Sequence, residues 1–396
     1  MPITKSKGPS PDPVGSVGPR RRLGGATAAA LLFAVSLSAC SSAADSATGT
    51  ENTAAGNGGA NVDAAKTAIA SYSNGKTVPF VVDKPLSKPV APGTKFAFLQ
   101  CAAQACAVAG VAVKAAVEAL GGTVTPVNSG ASAQTAQAAA STVLAMKPAA
   151  VIATGLDPQL YGGGLQKIAD AGIKIVTISV AVDTKPYGIT ANYLGAPTFT
   201  KAGALMADWV VANKGAGAKV AFYAVPEISF MPSMTKGFQD ELTKNCSSCE
   251  FRTVNVALAS LGTTAPQTVV TDLQANPNTT IAVFGTGTLA SGVPAALSSA
   301  GLNIPTLLYS PQAANLQDIK GGKLNAALGV DYNSSVWTGV DVAARLVNGE
   351  EPLPAETNGD VAFGFLEKQD ITFDPTKGWN PYPDYADRFK KLWLKS

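Results

Sequence analysis

The chain of 396 residues contains no histidine. Without an imidazole there is no histidine-based triad, no histidine-ligated metal and no use of the commonest general base. A Gly-x-Ser-x-Gly hydrolase turn is missing too, as is any phosphate-cradling P-loop. Charged residues make up only 14%, and no basic patch marks a nucleic-acid surface. Cysteine is scarce, with five in all.

What is present begins with an address. Lys5, Lys7 and Arg20 to Arg22 form a basic start, and Leu23 to Leu37 is a small, apolar run too short to span a bilayer comfortably. It ends Leu37-Ser38-Ala39-Cys40, which resembles a bacterial lipobox. The resemblance implies cleavage before Cys40, a lipid on its thiol and a place on the extracytoplasmic face of the cell membrane. The competing readings are an ordinary signal peptide with a stray cysteine, or a membrane anchor. Residues 1–39 hold five of the 30 Lys and Arg and one of the 27 acidic residues. The remaining chain is therefore close to neutral, and its basic balance belongs to the leader.

Cys40 taken by lipid leaves two close pairs, Cys101/Cys106 and Cys246/Cys249. Closely spaced, even cysteines in an exported chain read as disulfides. A four-cysteine metal site is the competing reading. Four residues separate one pair, and the two pairs lie far apart in sequence, which suits such a site poorly.

Ser41 to Asn61 is rich in Ser, Ala, Thr and Gly and is expected to be a flexible tether across residues 40–61. Residues 62–93 read as a helix with apolar residues at Val62, Ala65, Ile69 and Tyr72, then a proline-rich extended arm. Thr94 to Gln100 is a short apolar run of the kind that forms a buried parallel strand. A small polar loop, Cys101 to Cys106, follows. Ala107 to Leu120 reads as a helix with Lys114 and Glu118 one turn apart, stopped by Gly121-Gly122. The same alternation repeats to nearly the end of the chain. Gly285-Thr286-Gly287 lacks the third glycine of a dinucleotide loop and reads as a tight turn beside a ligand. Trp337 begins a periodic helix and reads as core rather than ligand platform. Two successive α/β series imply two doubly wound, parallel-sheet domains, with ligands outside the carboxyl ends of the strands and in the cleft between domains.

From about Thr94 to Phe373 the order of elements resembles the type I periplasmic binding proteins of bacterial ABC importers. The ribose/xylose-type sugar binders and LacI-like sensor domains belong to that group. The stretches that carry the resemblance are Lys95 to Cys101, Ile173 to Ser179, Gly203 to Trp209, Lys236-Gly237-Phe238, Ala282 to Leu297 and Gly321 to Leu324. The resemblance implies two lobes joined by a multi-strand hinge, with residues 94–191 and 331–364 in the first and 192–330 and 365–396 in the second. Asn192, Asp331 and Phe365 would stand at the crossovers. It also implies a small-molecule solute, a permease and its ATPase as partners, membrane contact only through lipid on Cys40, no cofactor or metal, no catalytic residue, and a monomer. The alternative function is a ligand sensor that works with a signalling receptor.

The resemblance places the ligand near Gln104, Ser179, Asn192, Glu227 and Phe230, near Thr286, Thr288, Tyr309 and Ser310, and near Asp331 and Tyr332. Glu227 is a lone carboxylate in a strand-end loop, suited to bonding a ligand or water rather than to catalysis. The family's sugar binders hold their ligand with Asp, Arg and Asn-Asp groups. Here the matching positions read Ser179-Val180, Pro232 and Gly287-Thr288. Charged bidentate groups suit sugar hydroxyls, so this nearly uncharged set is expected to take a neutral solute, a sugar by family or something less polar.

Overall fold

Strands with Val, Ile, Leu and Phe on both faces must be covered on both faces, and helices supply the cover. The computed structural model describes residues 59–73, 78–358 and 360–394. The leader, Cys40 and most of the tether lie outside the described residues.

In chain order the elements are α1 (Val62–Ala70), β1 (Lys95–Cys101), α2 (Gln104–Leu120), β2 (Thr123–Gly130), α3 (Ala133–Met146), β3 (Ala150–Thr154), α4 (Gly164–Asp170), β4 (Lys174–Ile178) and β5 (Ala191–Tyr193). The second series is α5 (Ala196–Lys214), β6 (Lys219–Ala224), α6 (Met231–Asn245), β7 (Glu250–Asn255), α7 (Ala265–Ala275), β8 (Ile281–Phe284), α8 (Val293–Ser299), β9 (Thr306–Tyr309), α9 (Ala313–Lys320) and β10 (Ala326–Val330). Then come α10 (Tyr332–Asn348), α11 (Pro354–Asn358), β11 (Phe363–Glu367) and α12 (Tyr385–Leu392).

One sheet runs β2-β1-β3-β4-β5 and is parallel throughout. The other runs β11-β10-β9-β8-β6-β7, parallel except for its edge strand β11. The interior strands β3, β8, β9 and β10 are buried along their whole length. The chain leaves the first sheet after β5, returns after β10 to lay α10 on β3, β4 and α2, and enters the second sheet again at β11.

The second lobe is held by a close helix pair, α5 against α6. A Cβ on Gly203 would stand 2.1 Å from the Met234 carbonyl oxygen, and one on Gly237 2.2 Å from that of Thr200. The two glycines let the backbones touch, which gives the Gly-Ala-Leu and Lys-Gly-Phe stretches a packing reason.

Several expectations need correction. The first loop is short: β1 runs through Cys101 and α2 starts at Gln104. Lys185–Tyr187 is a 3-10 turn, and β5 begins only at Ala191. Between the 3-10 turn Pro158–Tyr161 and α4 stands Gly162, whose φ is +55°. The end of the tether is not free. The Asn61 N–H donates to the Asn245 carbonyl at 2.7 Å, and Ala60 bridges Cys246.

The tail expected with the second lobe stays there through β11 and the 3-10 turns beside α9, and only its last stretch turns back. Its helix α12 packs on α10 and α2 of the first lobe. Trp393 stacks on Trp337 at 5.2 Å, and Phe389 lies 5.7 Å from Trp337. Aromatic burial outweighs sequence proximity here, since Trp393 and Phe389 have no exposed surface left. The sulfurs of Cys101 and Cys106 lie 2.11 Å apart and those of Cys246 and Cys249 1.99 Å apart. Each cysteine thus lies at bonding distance from the partner expected for it.

Candidate functional site

The carboxyl ends of β1, β3 and β4 face those of β8 and β9 across a cleft that encloses about 730 Å³ of atom-free space, part of it open to solvent. The lobes touch at its edge. The Ser229 N–H donates to the Gly155 carbonyl at 2.9 Å, and the Asp157 N–H to the Glu227 carbonyl at 3.1 Å. The Ser229 hydroxyl donates to the Ser179 carbonyl at 3.3 Å.

The second lobe gives an aromatic wall. Phe199 from the first turn of α5 stacks on Phe230, just before α6, with ring centres 4.2 Å apart. Tyr309 at the end of β9 meets both rings edge-on, at 6.2 and 6.1 Å. Thr286 and Thr288 come from the turn after β8. Gly287 is required there by backbone crowding. A Cβ on Gly287 would stand 2.5 Å from the Ser310 carbonyl oxygen, and one on Gly285 2.4 Å from the Met231 sulfur. The glycine pair thus packs a turn against its neighbours.

The first lobe supplies the Cys101/Cys106 pair, Ala103, Thr154 and Leu156. Tyr332 in the first turn of α10 closes this side, donating its hydroxyl to the Ala105 carbonyl at 3.1 Å. Asp331 caps that helix. Its carboxylate accepts from the Ser334 N–H at 3.3 Å and from the Ser334 hydroxyl. Burial pushes Asp331 up to about 6, against the lowering effect of those hydrogen bonds. The phenols of Tyr309 and Tyr332 are held well above their usual range by burial, so both are neutral donors.

Of the eleven expected residues, Ser179, Phe230, Thr286 and Thr288 line the cleft, as do Tyr309, Ser310, Asp331 and Tyr332. Gln104, Asn192 and Glu227 do not. Gln104 is exposed at the start of α2, because the strand ends later and the helix starts earlier than expected. Asn192 is tied up within the first lobe, its Oδ1 accepting from Thr177 and its amide donating to the Val180 carbonyl. One Glu227 oxygen accepts from the Leu258 N–H at 3.2 Å, while the other is buried without a partner.

Phe199, Leu194, Ile228 and Leu258 also line the cleft and were missed. Phe199 sits in an amphipathic helix whose apolar face gives no sign of a ligand. A conformational signal does exist: Ser179, Leu194 and Ser310 have φ of +65°, +63° and +53° and all line the cleft. Non-glycine residues held in this region gather at ligand sites. It is a property of the folded backbone, invisible in residue type.

A model of the periplasmic binding protein domain matches residues 103–351, well over half of the chain. The chain belongs to the periplasmic binding protein family. No curated protein matches its sequence. Solved structures of the same fold include an ABC transporter solute-binding protein from Agrobacterium vitis with bound D-fucose. It is 20% identical, with a TM-score of 0.62, over 73% of this chain and 100% of that one. A carbohydrate-transporter solute-binding protein from Agrobacterium radiobacter in complex with D-arabinose is 17% identical, with a TM-score of 0.62, over 73% of this chain and 99% of that one. A carbohydrate transporter from Acidothermus cellulolyticus 11B in complex with myo-inositol is 14% identical, with a TM-score of 0.61, over 76% and 100%. These likenesses establish the fold. Among the described residues of this periplasmic binding protein, no helix is long and apolar enough to cross a membrane.

Proposed function

We propose that the protein is the solute-capturing component of an ABC importer on the extracytoplasmic face of the cell membrane. It would be held there by lipid on Cys40, and it would present a closed, loaded pair of lobes to a permease and its ATPase as a monomer. The reading rests chiefly on the cleft being bounded by both lobes, which meet at Ser229 and Gly155. A solute trapped there would hold the lobes together. The names of the structural neighbours point the same way. Among the described residues no acid–base pair converges on the cleft, which supports a binding role rather than an enzymatic one. The two cysteine pairs fit disulfides of an exported chain.

The test is to purify the protein from its own host, release its contents by reversible unfolding, and identify them by mass spectrometry. Small-angle scattering then follows the refolded protein with and without the released material. A small molecule is expected, and the protein is expected to become more compact when it is returned. A protein that releases nothing and keeps one scattering profile with every solute tried overturns the proposal. Recovery with a membrane receptor and no permease moves the reading to a sensor.

A further inference from the structure

We infer that the solute is an uncharged, mainly apolar ring compound, of one or two rings with one or two oxygen functions, rather than a polyol such as a sugar. The inference rests on the proposed capture of a solute in this same cleft and concerns only its chemistry.

The first observation is what the walls offer. A pyranose brings about five hydroxyls, and each must find a partner or lose its water without replacement. Among the lining residues there is no Arg, Lys, Glu, Asn or Gln, and one Asp. That Asp331 already accepts two bonds from Ser334 at the start of α10. The Tyr332 hydroxyl is spent on the Ala105 carbonyl, the Ser335 hydroxyl on the Asp331 carbonyl, and the Thr154 hydroxyl sits 3.5 Å from the Cys106 sulfur. The hydroxyls left are those of Ser179, Thr286, Thr288, Tyr309 and Ser310, with no free amide, guanidinium or second carboxylate among them to hold sugar hydroxyls in pairs.

The second observation is how the aromatics are arranged. A ring that stacks on a sugar must present an open face. Phe199 and Phe230 cover one face of each other, with planes only 9° apart, Phe199 is almost wholly buried, and Tyr309 turns its ring at 76° and 67° to theirs, which leaves at most the outer face of Phe230 open. Together with Leu156, Leu194, Ile228 and Leu258 they make a greasy wall. Such a wall favours a ligand whose own surface is apolar.

The third observation marks where the oxygen would sit. Thr288 is 4% exposed and lines the cleft, yet its buried hydroxyl has no hydrogen-bond partner. An unpartnered buried hydroxyl costs free energy unless something meets it. A single oxygen on an otherwise apolar ligand would do so.

Equilibrium dialysis of the intact protein against 2-naphthol, naphthalene, D-fucose, D-arabinose and myo-inositol tests the idea, with melting temperature followed in parallel. The expected result is one 2-naphthol per chain, bound at least about tenfold more tightly than any polyol. Thr288→Val should weaken 2-naphthol about fivefold or more and leave naphthalene within about twofold. Its melting temperature should hold or rise, because the hydroxyl it removes is unpartnered. A polyol bound more tightly than either ring compound overturns the inference while leaving solute capture standing. Equal weakening of both ring compounds by Thr288→Val removes the role of that hydroxyl. No binding or stabilisation by any of the five removes the inference and counts against solute capture itself.

Discussion

The cleft and the seat of the C-terminal tail are both buried and both lie against α10, yet they use charge in opposite ways. At the amino end of that helix the cleft holds one carboxylate, Asp331, already capped by Ser334. Nearer the other end, Asp341, Arg345 and Glu356 are almost wholly buried together. Arg345 reaches Asp341 at 2.7 Å, Glu356 at 3.3 Å and the Lys84 carbonyl of the arm at 2.6 Å. Trp393 donates its indole N–H to Asp341. The buried charge of this helix thus holds the arm and the tail, and the ligand side is nearly free of it. Directional charged contacts fix a unique packing where three chain segments meet, at some cost in desolvation. A ligand pocket with the same groups would accept only a partner of matching charge.

Removing the cation breaks that comparison most sharply. Arg345→Met strands the Asp341 carboxylate in the interior, and the expected loss is about 3–5 kcal/mol in urea unfolding. Solute affinity of the folded fraction should be unchanged, since Arg345 does not line the cleft. A loss below about 1 kcal/mol would mean the cluster is not what fixes the tail.

Asp331 gives the next effect, at the cleft. Its folded value of about 6 stands above its ordinary 3.8, so the folded state holds the proton more tightly than the unfolded one. Stability from this group is therefore greatest below about pH 4 and falls as pH rises to about 6, by roughly 3 kcal/mol in total. Asp331→Asn keeps a cap acceptor and does not titrate. Relative to the wild type it should gain stability between pH 4 and pH 7, measured by chemical unfolding at each pH. Parallel pH profiles for the two proteins would contradict this.

Glu356→Gln should do least. Burial, with the Asp341 carboxylate next in effect, pushes the Glu356 carboxyl far upward, so it is neutral at pH 7. The amide can still accept from the Leu353 N–H, a bond of 2.7 Å in the structure. The change expected at pH 7 is under about 1 kcal/mol. A loss as large as that of Arg345→Met would show that Glu356 is charged and part of the ion pair.

Much of the fold was legible because its signals are local. Phe96 to Leu99 is apolar on both faces, and Gly121 follows a helix and has φ of +88°. The family resemblance placed Ser179, Thr286, Thr288, Tyr309 and Ser310 in one region, and the cleft gathers them. Gln104, Asn192 and Glu227 also stand near strand ends, but a slip of one or two residues along a helix or strand turns a side chain to another face. Phe199 lay out of reach for a different reason, since its role depends on Phe230 and Tyr309 arriving beside it.

By itself the sequence determined the alternation of buried strands and covering helices, the two-lobed class and the lack of imidazole chemistry. Those follow from residue type, periodicity and short motifs, which act over a few residues. Only the tertiary structure decided that the tail returns to the first lobe, that Arg345 binds the arm, that Phe199 walls the cleft, and that Asp331 is held near 6. Each depends on contacts between segments far apart in the chain and on exclusion of water, and burial of that kind exists only once the fold has closed.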